Sequence, residues 1–264
     1  MVAVTDRRRI AKLVLFAAVV IAAIVATVVG VVFTIGLGPE ADALTAVEAS
    51  DVVTVERFDG GTVVSSGPIT ENTVGLVYYP GARVNAESYV PTAAEVVTGS
   101  DGEPNRDVAV VIVDMPLNLA VLAPGRADDG IESLPAVESW YVGGHSLGGA
   151  MACRYAAGNA DRLEGLVLHA SYCDDDLSGT DLRALSVLGS ADGVIDAGAE
   201  REGRTLLPAE ATILELDGVN HAGFGAYGPQ RGDMSVSTDP SEMRGVVGNT
   251  TGEWLVGDAA RVGG

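Results

Sequence analysis

Lysine is almost absent from this chain: of its 16 basic residues only Lys12 is lysine, set against 36 acidic ones. The net charge is -20 and no basic stripe exists to neutralise phosphates, which excludes nucleic acid as a partner. Cysteine is scarce too. Cys153 and Cys173 are the two it has, and their spacing makes no metal site. We expect no metal and no cofactor. Histidine is limited to three positions, His145, His169 and His221, so any base of that kind is one of these. No internal repeat or low-complexity domain interrupts the sequence.

What is present is one globular domain's worth of chain. The 264 residues suffice for a single large domain or at most two small ones, and 47% of them are hydrophobic. The acidic charge is spread through the chain rather than collected in a tail. That composition fits an ordinary acidic protein. It also fits a halophilic one, whose self-repulsion is screened by salt over a few ångströms.

The N-terminus is a separate piece. A basic segment, 1–12, precedes "LVLFAAVVIAAIVATVVGVVFTIGLG" (13–38), which has no charged residue. As a helix it would extend about 39 Å, more than the roughly 30 Å hydrocarbon core of a bilayer. A secretory apolar region is shorter, about 7–15 residues. The expectation is therefore a single transmembrane anchor with Arg7, Arg8, Arg9 and Lys12 on the cytoplasmic side and the domain outside. The competing reading is a twin-arginine export signal cleaved near "ADA" (41–43). Both export the domain. In that oxidising exterior Cys153 and Cys173 form either one disulfide or two buried thiols.

After an acidic, alanine-rich spacer (39–50) the domain is expected over 51–264. A hairpin is predicted around Asp59-Gly60-Gly61. Short apolar runs at 74–80, 108–116, 139–144, 163–171, 182–190 and 211–218 read as strands. Helical stretches at 86–98, 147–158 and 240–255 alternate with them, the last with Trp254 and Leu255 inward. Such alternation implies a mostly parallel sheet with helices on both faces, and the hairpin adds an antiparallel edge.

One stretch carries chemistry. "YVGGHSLGGAMA" (141–152) places Gly144 two residues before Ser146 and Gly148 two after, between a predicted strand and a predicted helix. A strand that turns at once into a helix leaves no room for side chains at those positions, and it exposes the serine between them. The Leu147 N–H, first in the helix, points at whatever binds there. Serine needs a base held by an acid. His145 is next to the nucleophile and reads as packed beside the turn, and His169 lies inside an apolar run. His221, in the glycine-rich loop "DGVNHAGFGAYG" (217–228) after a strand, is the base. Asp192 sits in the turn of "VLGSADGVID" (187–196), just past a strand, as the acid, with Asp196 the runner-up. Asp174, Asp175 and Asp176 read as a solvated loop.

With these residues in place the chain resembles the α/β-hydrolase family over about 51–260, nearest the compact, cap-less members related to dienelactone hydrolases. The carrying stretches are "GLVYYPGARVNAESYVP", "VVIVDMPLNLAVL", "GGHSLGGAMA", "VLGSADGVI" and "GVNHAGFGAYGPQRGD". The resemblance implies an α/β-hydrolase fold with Ser146 as nucleophile, Asp192 as orienting acid and His221 as general base. It places a second oxyanion donor in "PGAR" (80–83), at the Ala82 N–H or else at Arg83, whose side chain either grips an anionic substrate group or lies on the surface. Dienelactone hydrolases themselves use cysteine at the elbow, so their substrate does not carry over. The chain between about 171 and 182 is too short for a cap, which implies an open site.

The expected function is a membrane-anchored serine hydrolase acting on an ester or related acyl bond of a small molecule. The alternatives are a non-catalytic extracytoplasmic binding domain and a non-hydrolytic enzyme on the same fold.

Overall fold

A computed structural model describes residues 12, 14–25, 27, 36–99 and 107–257 of the chain. Eight strands form one sheet in the order β1-β2-β4-β3-β5-β6-β7-β8. They are β1 (Thr54–Phe58), β2 (Gly61–Ser65), β3 (Val74–Tyr79), β4 (Val108–Val113), β5 (Ser139–His145), β6 (Gly165–His169), β7 (Arg183–Gly189) and β8 (Thr212–Leu216). The β1–β2 hairpin and the β2–β4 pair are antiparallel, and all other pairs are parallel. Every residue of β3 and β4 is buried, whereas edge strands β1 and β8 are half open. The uninterrupted apolar runs of the inner strands follow from being covered twice.

Alternate side chains of these strands feed two cores. Val77, Tyr79, Val111, Val113, Val142 and Leu166 pack under helices α3 (Ala127–Ser133) and α4 (Leu147–Gly158). Leu76, Tyr78, Val110, Ile112 and Val167 pack under α2 (Val90–Thr98) and α6 (Pro240–Val256). Leu255 of α6 is buried as expected. Trp254 is only half-buried, its ring covered by the Arg183 guanidinium 4.1 Å from the ring centre.

The stretch expected as a spacer is joined to the domain. It carries helix α1 (Ala41–Glu48), whose first turn contains the "ADA" of the cleavage reading. The end of the stretch expected as the anchor is joined to the domain as well: Leu37 donates its N–H to the Arg83 carbonyl and accepts from the Asn85 N–H, at 2.6 and 2.9 Å. Glu40 pairs with Arg244 of α6 at 3.3 Å. Of the expected anchor, residues 13, 26 and 28–35 lie outside the described residues, as do 1–11. Residues 14–25 are helical and exposed. Among the described residues no helix is long and apolar enough to cross a membrane.

Because β3, β5, β6, β7 and β8 run parallel, the loops leaving their carboxyl ends gather at one edge of the sheet. That edge is where open α/β sheets bind ligands.

Candidate active site

Strand β5 ends at His145 and helix α4 starts at Leu147, so Ser146 alone makes the turn. It does so at φ 54° and ψ -124°, a conformation that non-glycine residues rarely adopt. The flanking glycines have the reason expected of them. A Cβ at Gly148 would collide with the Tyr79 and Pro80 carbonyl oxygens, and one at Gly144 would stand 2.6 Å from the Tyr79 carbonyl oxygen. The turn is tied down on its far side, where the Ser146 N–H donates to the His169 carbonyl at 3.0 Å.

Two loops further along the sheet edge bring Asp192 and His221 together. Asp192 Oδ1 accepts the Val194 and Ile195 N–H groups at 2.8 and 2.9 Å, and Oδ2 stands 2.7 Å from His221 Nδ1. Both side chains are buried. Burial alone would raise the Asp192 pKa, but the His221 hydrogen bond and charge and the two N–H donors hold it below the ordinary carboxylate value. His221 Nε2 is buried and has no hydrogen-bond partner, so it is not bonded to the Ser146 hydroxyl. Catalytic hydrogen bonds are commonly long before substrate binds.

The other candidates fall elsewhere. Asp196 caps helix α5 (Ala197–Gly203) through the Gly198 and Ala199 N–H groups. Asp174 pairs with Arg154. His169 Nδ1 meets Tyr78 Oη and its Nε2 meets Thr251 Oγ1, both at 2.9 Å, and burial pushes its pKa down to about 3. Burial, then the neighbouring His221 and His169 charges, hold His145 well below its usual value. His145 Nδ1 lies 2.8 Å from Tyr89 Oη.

In the loop 80–83 two backbone N–H groups are engaged. Gly81 donates its N–H to Tyr89 Oη at 2.9 Å and Arg83 donates its own to the Asn118 carbonyl at 2.7 Å. The Arg83 backbone is therefore engaged, and the Ala82 N–H is the donor that remains between them. Cys153 and Cys173 are joined by a disulfide.

Asp233, which joins these loops, had no role in the sequence reading. Asp233 Oδ1 accepts the Gly193, His221 and Met234 N–H groups at 3.0, 3.2 and 2.9 Å, and Oδ2 accepts that of Ala222 at 2.8 Å. It clamps the loop of Asp192 to the loop of His221. Its only sequence signal is the acidic residue closing "GPQRGD". Among the described residues no group of three or more His, Cys, Asp or Glu side chains could hold a metal ion.

The model of the alpha/beta hydrolase family matches residues 75–244. The chain belongs to the α/β-hydrolase family. No curated protein matches the sequence. Among solved structures the hydrolase is similar to carboxyl esterase 2 from the mycorrhizal fungus Tuber melanosporum, with a TM-score of 0.53 and 13% identity over 78% of this chain and 87% of that one. It is also similar to dienelactone hydrolase from Anabaena variabilis, with a TM-score of 0.52 and 13% identity over 78% of this chain and 98% of that one. These likenesses concern the fold.

Proposed function

We propose that this hydrolase is a serine esterase-type enzyme that cleaves an ester or related acyl bond through Ser146, Asp192 and His221. The observation that carries the reading is the buried 2.7 Å contact of His221 Nδ1 with Asp192 Oδ2, which leaves Nε2 as the imidazole's one open nitrogen. Ser146 Oγ attacks the carbonyl carbon while His221 Nε2 takes its proton, and Asp192 stabilises the resulting imidazolium. The Leu147 and Ala82 N–H groups hold the negative oxygen of the tetrahedral intermediate. His221 then returns the proton to the leaving alcohol, and water releases the acyl group by the same route.

The proposal includes a single-pass membrane anchor that holds the domain outside the cytoplasm, and adaptation to high salt. In support, Val14, Leu15, Phe16, Val19, Ile21, Ile24 and Val25 all present apolar side chains on an exposed helix. A disulfide suits an oxidising compartment.

The missing Ser146–His221 hydrogen bond favours a second reading, a binding domain without chemistry. Labelling the full chain with a fluorophosphonate probe in high salt decides between the two. The expected result is covalent label on the wild type that disappears in Ser146→Ala and in His221→Gln. A folded wild type that takes no label would leave the binding domain as the better reading.

A further inference from the structure

A cleft of about 260 Å³ opens beside the nucleophile, lined by Ser146, Leu147, Ala150, Tyr172, Val194 and Ile195 among others. Apart from the Ser146 hydroxyl itself and the Tyr172 phenol, the polar side chains at its surface make hydrogen bonds elsewhere. Ser171 donates its hydroxyl to the Ser146 carbonyl at 2.6 Å, and Asp196 caps helix α5. No lysine, arginine or histidine lines it. An occupant therefore finds apolar contact and no cation to pair with, in a protein whose net charge is -20. That excludes a carboxylate or phosphate.

The two walls of the cleft are tied to the two catalytic strand ends. On one side the chain after β6 leaves through Ala170, a non-glycine residue at φ 44°. It is then held against helix α4 by the Ser171–Ser146 hydrogen bond and the Cys153–Cys173 disulfide. The Arg154 guanidinium adds a fork onto Asp174, with contacts of 3.0, 3.1 and 2.6 Å. On the other side, the Val194 and Ile195 N–H groups are the ones that Asp192 Oδ1 accepts. Neither wall can retreat without pulling on Ser146 or Asp192.

We propose that this cleft is the acyl site, that it takes a short, uncharged acyl chain of about six carbons or fewer, and that the Cys153–Cys173 bond sets the limit by fixing the Tyr172 wall. The inference rests on Ser146 being the nucleophile. The acyl half is assigned here because it stays bonded to Ser146 after the alcohol leaves, and Ser146 itself lines the cleft. At about 30 Å³ per water-sized group, the volume holds on the order of eight such groups, and the mouth and carbonyl take part of that.

The test uses the full chain and alkylphosphonofluoridates with straight chains of two, four, eight and twelve carbons on phosphorus. Wild type is expected to label at least about tenfold more slowly with the eight- and twelve-carbon probes than with the four-carbon one. In the double variant Cys153→Ala/Cys173→Ala most of that difference should vanish. Ala150→Leu, which fills the cleft, should slow the four-carbon probe while sparing the two-carbon one. Equal labelling at every length in wild type overturns the acyl site but leaves the nucleophile standing. No labelling by any probe overturns both. A length profile unchanged in the double variant removes the disulfide from the account. If that variant does not fold, Ala150→Leu decides the site alone, and an unchanged profile there overturns it.

Discussion

His169 and His221 are equally buried, each with 1% of its surface exposed, and both stand at the carboxyl edge of the sheet, yet their surroundings prepare them for different work. At His169 both ring nitrogens are engaged. Thr251 Oγ1 already donates to the Val247 carbonyl, so it must accept from His169 Nε2–H, and Nδ1 therefore accepts from the Tyr78 hydroxyl. That imidazole is locked neutral in one tautomer, with its pKa pushed down to about 3 by burial. At His221 one nitrogen faces a carboxylate and the other faces no partner at all. Burial is common to the two. The carboxylate and the open nitrogen are what the proposed base has and His169 lacks.

Making the same substitution at both sites sharpens this contrast most. His221→Gln should lower kcat by about 10²–10⁴, while His169→Gln keeps kcat within about twofold of wild type at pH 8. Steady-state hydrolysis of a short acyl ester measures both, and an equal loss at His169 would break the contrast. Next in size is Asp233→Asn, which replaces a carboxylate that receives three backbone N–H groups from the loops of Asp192 and His221, besides that of its neighbour Met234. Each charged hydrogen bond is worth about 1.5–3 kcal/mol, but an amide oxygen keeps part of that. We expect kcat to fall about tenfold with KM little changed, because the substituted residue moves His221 relative to Asp192 rather than the acyl cleft. A rise in KM at constant kcat would show that Asp233 shapes binding instead.

The elements at the sheet edge were legible for a local reason. Helix 147–158 and the strand before it follow from a short apolar run stopped by glycines at fixed offsets from Ser146, and that pattern needs no knowledge of the rest of the fold. The turn at Asp192 and the loop of His221 were readable because each begins where an apolar run ends. Asp233 was not legible, since its role depends on three loops that only tertiary packing brings together. The same holds for Glu40, which meets Arg244 across 204 positions of sequence. It holds too for the Tyr89 hydroxyl, placed between Gly81 and His145 by a 3-10 turn, and for the pairing of Cys153 with Cys173. Their positions in sequence carry no period or motif that would announce such contacts.

The locked histidine also has a signature in pH. In the unfolded chain His169 titrates near 6.5, and in the folded protein near 3, so the unfolded state alone binds the proton between those values. The stability that His169 contributes is complete above about pH 6.5 and falls as pH drops toward 3, at about 1.4 kcal/mol per pH unit. Urea midpoints of wild type and His169→Gln at pH 7.5, 6.0 and 5.0 should therefore converge as pH falls. His145 is present in both proteins, so it enters the difference only through its coupling to His169, which is weaker than the effect of its own burial. Parallel curves would mean that His169 titrates alike in the folded and unfolded chain and that the fold does not hold it neutral.

The smallest expected effect comes from Thr251→Val, which keeps the shape of the side chain and removes only the oxygen. His169 Nε2–H then has no acceptor in a site closed to water, and the cost is about 1 to 2 kcal/mol of stability. Because Tyr78 can still donate to Nδ1, the ring should stay neutral, and the pH dependence of unfolding should keep the wild-type slope. Activity should not change either, since Thr251 lies on α6 beneath the sheet edge and touches His169 rather than His221. A urea melt and a kcat measurement on this one variant separate the two histidines in opposite directions: lower stability with unchanged turnover keeps them independent. A fall in turnover would mean that strain at His169 reaches Ser146, whose N–H donates to the His169 carbonyl.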